Sequence, residues 1–533
     1  MALFLGGIAF LVIGYFLYGK LAEKIFAPDD RETPAVKNAD GVDFVVLPRW
    51  KNMLIQLLNI AGIGPVIGVI LGIKFGVVAL VIIPLGCVLM GAVHDMAAGM
   101  MSIRDNGANL PKIVQTNLGK TYNIVFEWFM VVLLLLVVAV FINVPAQLIN
   151  TTAQDLGKPA ADSVSGIIDA ATYQPPNYFW WAVGAIFLYY VAATMFPVDK
   201  IIGKVYPFFG MMLLIGTFAI FIALVVAGCK DPSIMTETQA FKLGKFDPDT
   251  APVFPLLFVT IACGIISGFH ATQSPIIART MKSEREARSD FYGMMILEGI
   301  IAMIWAVGGL AIYNLEPQFM TKGGPVVLCE ITSHFLGTWM GTITVLAVVI
   351  LAVTSGDTAL RSTRLSLAEM LHIPQQKILP RFLTCLPLIV LVAALLAWSN
   401  SKNAATAFQK LWNYFAWGNQ VLAATTLMAG TVWLLRKGHK AGALVTLLPG
   451  MFMTAVVVSF IFWTTGKNGQ PAGLFFFLKD GGLPYWVSVG FGVGVAVGFA
   501  LFVWMRSKMP ADEPAPAVSA PESAPAPAGE SKP

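Results

Sequence analysis

Residues 59–68 have the sequence Asn-Ile-Ala-Gly-Ile-Gly-Pro-Val-Ile-Gly and lie inside an apolar run at 52–72. Gly62, Gly64 and Pro65 therefore fall near the middle of a segment that is long enough to cross a bilayer as a helix. Proline removes a backbone donor and clashes with the preceding turn, and glycine weakens a helix further. The pattern predicts a transmembrane helix that is broken at mid-span.

A second apolar run, at 253–275, has the same character. It contains Ala262-Cys-Gly-Ile-Ile-Ser-Gly-Phe-His270 and continues with a polar stretch. Unwound backbone inside a bilayer is tolerated only where it lines a cavity or binds something. Either motif alone could be a packing kink, since Gly and Pro are frequent in transmembrane helices. Two such breaks about 200 residues apart, each opening a run of five helices, favour a five-plus-five inverted repeat.

The composition of the 533 residues agrees with a membrane protein, because 57% are hydrophobic, only 12% are charged and the mean hydropathy is +0.73. A soluble fold could not bury so much apolar surface, whereas a bilayer requires it. The sequence predicts an all-α polytopic protein with about thirteen transmembrane helices, at 2–19, 52–72, 76–101, 122–149, 178–196, 201–228, 253–275, 290–314, 339–360, 381–398, 407–435, 441–465 and 484–506.

Charge distribution supports this count and orients the chain. With the N-terminus outside, the cytoplasmic loops and tail hold 25 Lys and Arg residues and the external loops hold 10. That bias is the one that the positive-inside rule predicts. The first apolar run has no basic n-region and no A-x-A cleavage site, which indicates a retained anchor. The C-terminus is expected in the cytoplasm.

The predicted organisation has four parts. Residues 1–50 form the first helix and a cytoplasmic loop, 51–436 the ten-helix core, 437–508 two additional helices, and 509–533 a Pro/Ala-rich tail that is expected to be disordered. The oligomeric state is left open.

Several function classes are excluded by what the sequence lacks. The five cysteines are scattered singly, the five histidines have no paired ligand spacing, and HExxH, GxSxG and GxxxxGK[ST] motifs are absent. We therefore expect no metal site, no cofactor, no enzymatic activity and no ATP-driven pump. Basic residues lie in short loops, so we expect no nucleic-acid partner. The expected partners are membrane lipid and a small-molecule substrate.

Half-helix ends at the two breaks are candidate binding sites, since helix N-termini can hold an anion and free carbonyls can hold a cation. Candidate substrate-binding residues are Asn59, Gly62, Gly64, Pro65, Gly264, Ser267, Gly268, His270 and Gln273. Ionisable or oxygen-bearing residues inside spans are candidate ion- or proton-coupling groups: Asp95, Glu298, Thr354, Ser355 and Asp357.

Several of these candidates could instead have structural roles. Asp95 could be an interfacial residue that pairs with Arg104, and Glu298 could make a hydrogen bond to a neighbouring helix. Asp357 and Arg361 have the i,i+4 spacing of a helical ion pair. His270 could be a satisfied core histidine, or it could contact substrate or transfer a proton.

At these residues the sequence resembles the carbon starvation protein A family. The shared features are AGIGPVIG at 61–68, GAVHDM at 91–96, RDNGANL at 104–110 and FPLLFVTIACGIISGFHATQSP at 254–275. The resemblance covers roughly residues 40–440 and indicates the family's short branch. It implies a proton-coupled transporter of the bacterial inner membrane that takes up pyruvate or small peptides during carbon starvation. It also implies a leucine-transporter-like core, similar to the amino acid–polyamine–cation superfamily.

The resulting hypothesis is an ion-coupled symporter, with H⁺ or Na⁺ as the coupling ion, that imports a small carboxylate between the two breaks. A sodium-coupled amino acid symporter is the alternative within this class. A channel, a membrane starvation sensor and an intramembrane enzyme are the alternatives outside it. The sequence does not choose between pyruvate, peptides and amino acids.

Overall fold

The computed structural model describes residues 1–39, 44–157, 176–195, 199–237, 252–371, 373, 378–401, 404–463 and 484–512. Long helices dominate this part of the chain. They are α1 (Ala2–Phe26), α2 (Arg49–Ile60), α3 (Gly64–Phe75), α4 (Val78–Arg104), α5 (Leu110–Leu118), α6 (Lys120–Leu156), α7 (Phe179–Met195), α8 (Asp199–Lys230), α9 (the consecutive turns Val253–Leu257, Phe258–Thr260 and Ala262–Ile265), α10 (Gly268–Ala278), α11 (Glu284–Leu315), α12 (Gly324–Met370), α13 (Ile378–Ser399), α14 (Ala404–Arg436), α15 (Leu444–Phe462) and α16 (Tyr485–Ser507). Short turns Pro34–Lys37, Pro232–Met235 and Pro317–Thr321 lie in the loops.

Both predicted breaks are present. The first separates α2 from α3, which are bent by 53° relative to each other. The helix resumes at Gly64–Gly68 as a π-helical turn that carries Pro65 near its start, where a missing backbone donor costs least. In the second, Ile266 and Ser267 are extended (φ −169° and −135°), and α10 begins at Gly268. Glycine and proline inside an apolar run therefore mark real interruptions here.

The helix α12 contains a further bend. Gly337 has φ +70°, a left-handed conformation that glycine adopts without steric cost. The predicted span 339–360 begins just beyond this bend, and the residues before it form a separate helical arm at 324–336. A Cβ on Gly324 would lie 2.7 Å from Ile67 Cγ2, so the start of this arm packs directly on α3.

The N-terminal helix packs against the core through three glycines. Gly7 contacts Met303, Gly14 contacts Val88, and Gly19 contacts Tyr292. Small residues allow close backbone approach where helices associate in a bilayer. The opposite face of α1 is apolar and exposed, as are the outward faces of several other helices. This surface is suited to lipid rather than to water.

By length and composition, nine helices among the described residues could cross a membrane, or ten if the bent pair α2–α3 is one span. The protein is thus a polytopic membrane protein, and the part that the structure describes is all-helical. The count of thirteen spans, the inverted repeat and the four-part division stay predictions. Most of the tail expected to be disordered, parts of several predicted loops, and the ends of the predicted spans 178–196 and 441–465 lie outside the described residues.

Candidate functional site

A buried cluster of ionisable side chains lies beside the second break. Asp95, on α4, lies within hydrogen-bonding distance of two imidazoles. His94 Nδ1 lies 2.8 Å from Asp95 Oδ1, and His270 Nδ1 lies 3.0 Å from Asp95 Oδ2. His270 belongs to the first turn of α10. All three side chains are almost completely buried. The carboxylate therefore connects α4 to the helix that follows the break.

Glu298 extends this cluster onto α11. Its Oε2 lies 3.5 Å from His270 Nε2, and the side chain is 0% exposed. That distance permits an ion pair, but neither carboxylate oxygen of Glu298 has a hydrogen-bond partner among the described residues. Buried polar groups are normally satisfied, so a buried carboxylate without a partner needs an explanation, and a functional role is one.

The imidazole of His270 bridges two carboxylates. A doubly protonated ring can donate to both Asp95 and Glu298, whereas a neutral ring can donate to only one. In the second case Asp95 keeps its contact with His94, whereas Glu298 has no other partner among the described residues and is the carboxylate suited to hold the proton. The geometry therefore suits the holding of a proton and its passage between α4, α10 and α11.

The two breaks lie directly against each other. A Cβ on Gly64 would lie 2.6 Å from Cys263 Sγ, and one on Gly264 would lie 2.6 Å from Val69 Cγ1. The start of α3 thus packs on the end of α9, with a glycine on one side of each contact. Segments about 200 residues apart in sequence come together at these two glycines.

A side chain from α14 completes the second break. Asn419 Oδ1 accepts from the Phe269 backbone N–H at 2.8 Å, and its Nδ2 donates to Ser267 Oγ at 2.9 Å and to Cys263 Sγ at 3.2 Å. Asn419 is 1% exposed. One amide therefore satisfies polar groups on both sides of the interruption.

The remaining substrate candidates are also placed at or near the breaks. Asn59 is half-buried in the last turn of α2, and Gly62 lies in the interruption itself. Pro65 is buried at the start of α3. Gln273, one turn beyond His270, is buried and donates to Thr272 Oγ1 at 3.3 Å. That these residues bind substrate stays a prediction.

The coupling candidates on α12 have a different environment. Thr354 Oγ1 donates to carbonyl groups of its own helix, at 3.0 Å for Leu351 O. Asp357 lies 3.8 Å from Arg361, which also donates to Ala193 O on α7. The ion pair that the i,i+4 spacing allows is thus present. A cation site at Thr354, Ser355 and Asp357 stays a prediction.

Comparison with known sequences identifies the family. The family described as carbon starvation protein CstA matches residues 1–174, 169–328 and 319–459. This chain belongs to the CstA family. A Haemophilus influenzae protein described as an uncharacterized membrane protein is 42% identical over 58% of this chain and 90% of its own length.

Several relatives of this chain are named as transporters. A Helicobacter pylori peptide transporter CstA is 24% identical over 83% of this chain and 79% of its own. The Escherichia coli pyruvate/proton symporter BtsT is 27% identical over 54% of this chain and 46% of its own. An Eremococcus coleocola manganese transporter has a similar fold, with a TM-score of 0.52 and 13% identity over 88% of this chain and 99% of its own. The CstA-family protein is therefore a membrane transporter.

The structure also shows residues that the sequence did not single out. Asn419 is one, although the adjacent polar pair Asn419-Gln420 inside an otherwise apolar run was a usable signal. The predicted alternative for Asp95, pairing with Arg104, is wrong. Arg104 instead makes two bonds to Glu284, at 2.6 and 2.7 Å, because it lies at the end of α4, more than two turns from Asp95.

Proposed function

We propose that this protein is a proton-coupled symporter that imports a small carboxylate, pyruvate or a short peptide, by alternating access. The observation that carries the proposal is the contact of His270 with both Asp95 and Glu298 directly beside a broken helix. A proton carrier and a substrate site must influence each other for coupled transport. Here the proton-carrying groups adjoin the unwound backbone.

The substrate position is inferred from the breaks. Broken helices near the bilayer midplane are typical substrate sites in inverted-repeat transporters, and their half-helix N-termini face anionic groups. The first turn of α10 presents backbone N–H groups of this kind, one of which bonds to Asn419. The names of the relatives, a peptide transporter and a pyruvate/proton symporter, support a substrate with a carboxylate.

Burial of the cluster supports alternating access. Asp95 and Glu298 are 0% exposed and His270 is 2% exposed, so the cluster has no direct route to water in this conformation. Proton uptake from one side and release to the other then require helix movements, as in gated transporters. The proposal includes the bacterial inner membrane as the location, an external N-terminus, a cytoplasmic C-terminus and no cofactor.

The test is uptake of labelled pyruvate and labelled dipeptide into proteoliposomes, at two pH values and with or without sodium. Wild-type protein should accumulate substrate when the outside is acidic, independently of sodium, and a protonophore should abolish accumulation. Glu298→Gln cannot carry a proton, so it should lose accumulation but keep exchange of labelled for unlabelled substrate. Glu316→Gln, at the external end of the same helix, is the matched control and should behave as wild type.

Two results would contradict the proposal. One is wild-type uptake that persists when the proton gradient is collapsed. The other is accumulation by Glu298→Gln at the wild-type level. Uptake that depends on sodium alone would favour the sodium-coupled alternative.

A further inference from the structure

Asn419 and Gln420 are adjacent polar residues near the middle of α14, and both face the second broken helix. Gln420 Nε2 donates to Phe258 O on α9 at 3.2 Å. Asn419 binds Cys263 on α9, Ser267 in the interruption and the Phe269 N–H on α10. α14 therefore holds the helix on both sides of its break.

The contact between α14 and the start of α10 is unusually close. A Cβ on Gly268 would lie 2.5 Å from Ala423 N and would overlap Asn419 O and Leu422 Cβ. Gly268 thus rests on the backbone of α14, and Asn419 holds the next residue, Phe269, by its N–H. A shift of α14 or loss of the Asn419 amide must change the position of this first turn.

The residue after Phe269 is His270, which bridges Asp95 and Glu298. One peptide unit therefore separates the backbone group that Asn419 holds from the imidazole of the proton-carrying cluster. This connection is short and covalent, so a displacement at Phe269 reaches His270 without an intervening packing contact. Discrete, packed elements of this kind transmit coupling between sites.

We propose that Asn419 is a positioning residue that keeps the proton-carrying cluster closed until substrate occupies the second break. The proposal rests on the proposed proton-coupled transport. A substrate carboxylate or amide would compete with the Asn419 side chain for the Phe269 N–H and for Ser267. Displacement of the Asn419 side chain would free the first turn of α10 and allow His270 to exchange its proton. Without substrate, Asn419 prevents proton flux.

The first measurement is proton leak into proteoliposomes without substrate, followed with an internal pH-sensitive dye under an imposed potential. Asn419→Ala should raise the leak by about tenfold, the size of a typical coupling effect between sites. Asn419→Asp retains the acceptor for the Phe269 N–H, so it should restore a low leak. Thr426→Val removes only a bond within α14 to Leu422 O and is the matched control.

A double variant separates this role from a general structural defect. Asn419→Ala with His270→Ala should show no added leak, because the proton would have no carrier. A leak that persists in the double variant would overturn the proposal, as would an Asn419→Ala variant with wild-type leak.

The second measurement reports on the break itself and does not depend on transport. Cys263 is 9% exposed and bonds to Asn419, so its rate of reaction with a maleimide measures how firmly the break is held. In a background with the other four cysteines replaced by serine, Asn419→Ala should react about tenfold faster than its parent, by the same coupling argument. An unchanged rate would overturn the proposal. Failure of the proposed function is seen separately, as wild-type uptake that does not respond to a proton gradient.

Discussion

Gly64 lies so close to Cys263 that the contact leaves no room for a methyl group. We predict that Gly64→Ala destabilises the protein by about 1–3 kcal/mol, the usual cost of overpacking a core, and abolishes uptake. Thermal unfolding of the purified protein and substrate uptake are the measurements. Gly490→Ala is the control, because nothing lies within 4 Å of a Cβ at that position. Adding Cys263→Gly should restore part of the stability that Gly64→Ala loses. A double variant as unstable as Gly64→Ala alone would show that crowding against Cys263 is not the cause.

Asp357 and Arg361 form a pair at 3.8 Å with exposed side-chain fractions of 3% and 25%. We predict that the pair is mainly structural. In that case Asp357→Asn and Arg361→Gln together should cost about 1 kcal/mol less than the sum of the two single effects, as expected for coupled neighbours. Denaturation of the three variants gives this difference. Additive effects, with sodium-dependent uptake lost only in Asp357→Asn, would instead support a cation site.

At the scale of helices, a buried ion pair joins the end of α4 to the start of α11. Glu284, at the start of α11, is 0% exposed and binds Arg104 from the end of α4 and the Asp29 N–H from the loop after α1.

Arg31 holds the pKa of Asp29 below its ordinary value through hydrogen bonds. Asp29 therefore stays ionised above its unfolded pKa and loses its contribution to stability only as the pH falls through its lowered folded pKa.

Glu284→Gln removes the buried carboxylate that Arg104 contacts most closely and leaves Arg104 only its longer contact with Asp29, at 3.5 Å. We therefore predict that this variant destabilises the protein by about 3 kcal/mol. The midpoint of thermal or denaturant unfolding is the measurement. Arg285→Gln, at the next residue, removes an exposed ion pair with Asp30 and should leave the midpoint unchanged, since exposed pairs contribute little. Equal effects of the two variants would show that burial of the Arg104–Glu284 pair is not the cause.

The two breaks could be predicted because their chemistry is local. Gly64, Pro65 and Gly268 disfavour helix within a few residues of themselves, whatever they pack against. The contact of Asp95 with His270 could not be predicted in this way, because the two residues are 175 positions apart in sequence and meet only after the helices pack. Helix ends were also underestimated. The predicted span 122–149 is shorter than the observed helix α6, Lys120–Leu156, because polar residues continue the helix after the apolar run ends.

At the scale of the whole molecule, the proposed alternating access would move helices that are tightly packed in this conformation, α3 on α9 and α10 on α14. Gly64, Gly264 and Gly268 allow these contacts to be tight in one arrangement, and tightly packed interfaces switch between discrete states rather than deform smoothly. Such movements have a direction only relative to the membrane. The orientation of the chain is therefore the next property to test.

Cys229 provides that test, because it is exposed near the end of α8 whereas the other four cysteines are buried. With the N-terminus outside, this position faces the external solution, as the distribution of basic residues predicts. A membrane-impermeant maleimide should then label intact spheroplasts at one site per chain, and Cys229→Ser should remove the label. In the Cys229→Ser background, Met509→Cys lies beyond α16, where Met509 is 52% exposed, and should react only after permeabilisation. Labelling of Met509→Cys in intact spheroplasts, with protection of Cys229, would reverse the orientation and with it the side from which the proton enters.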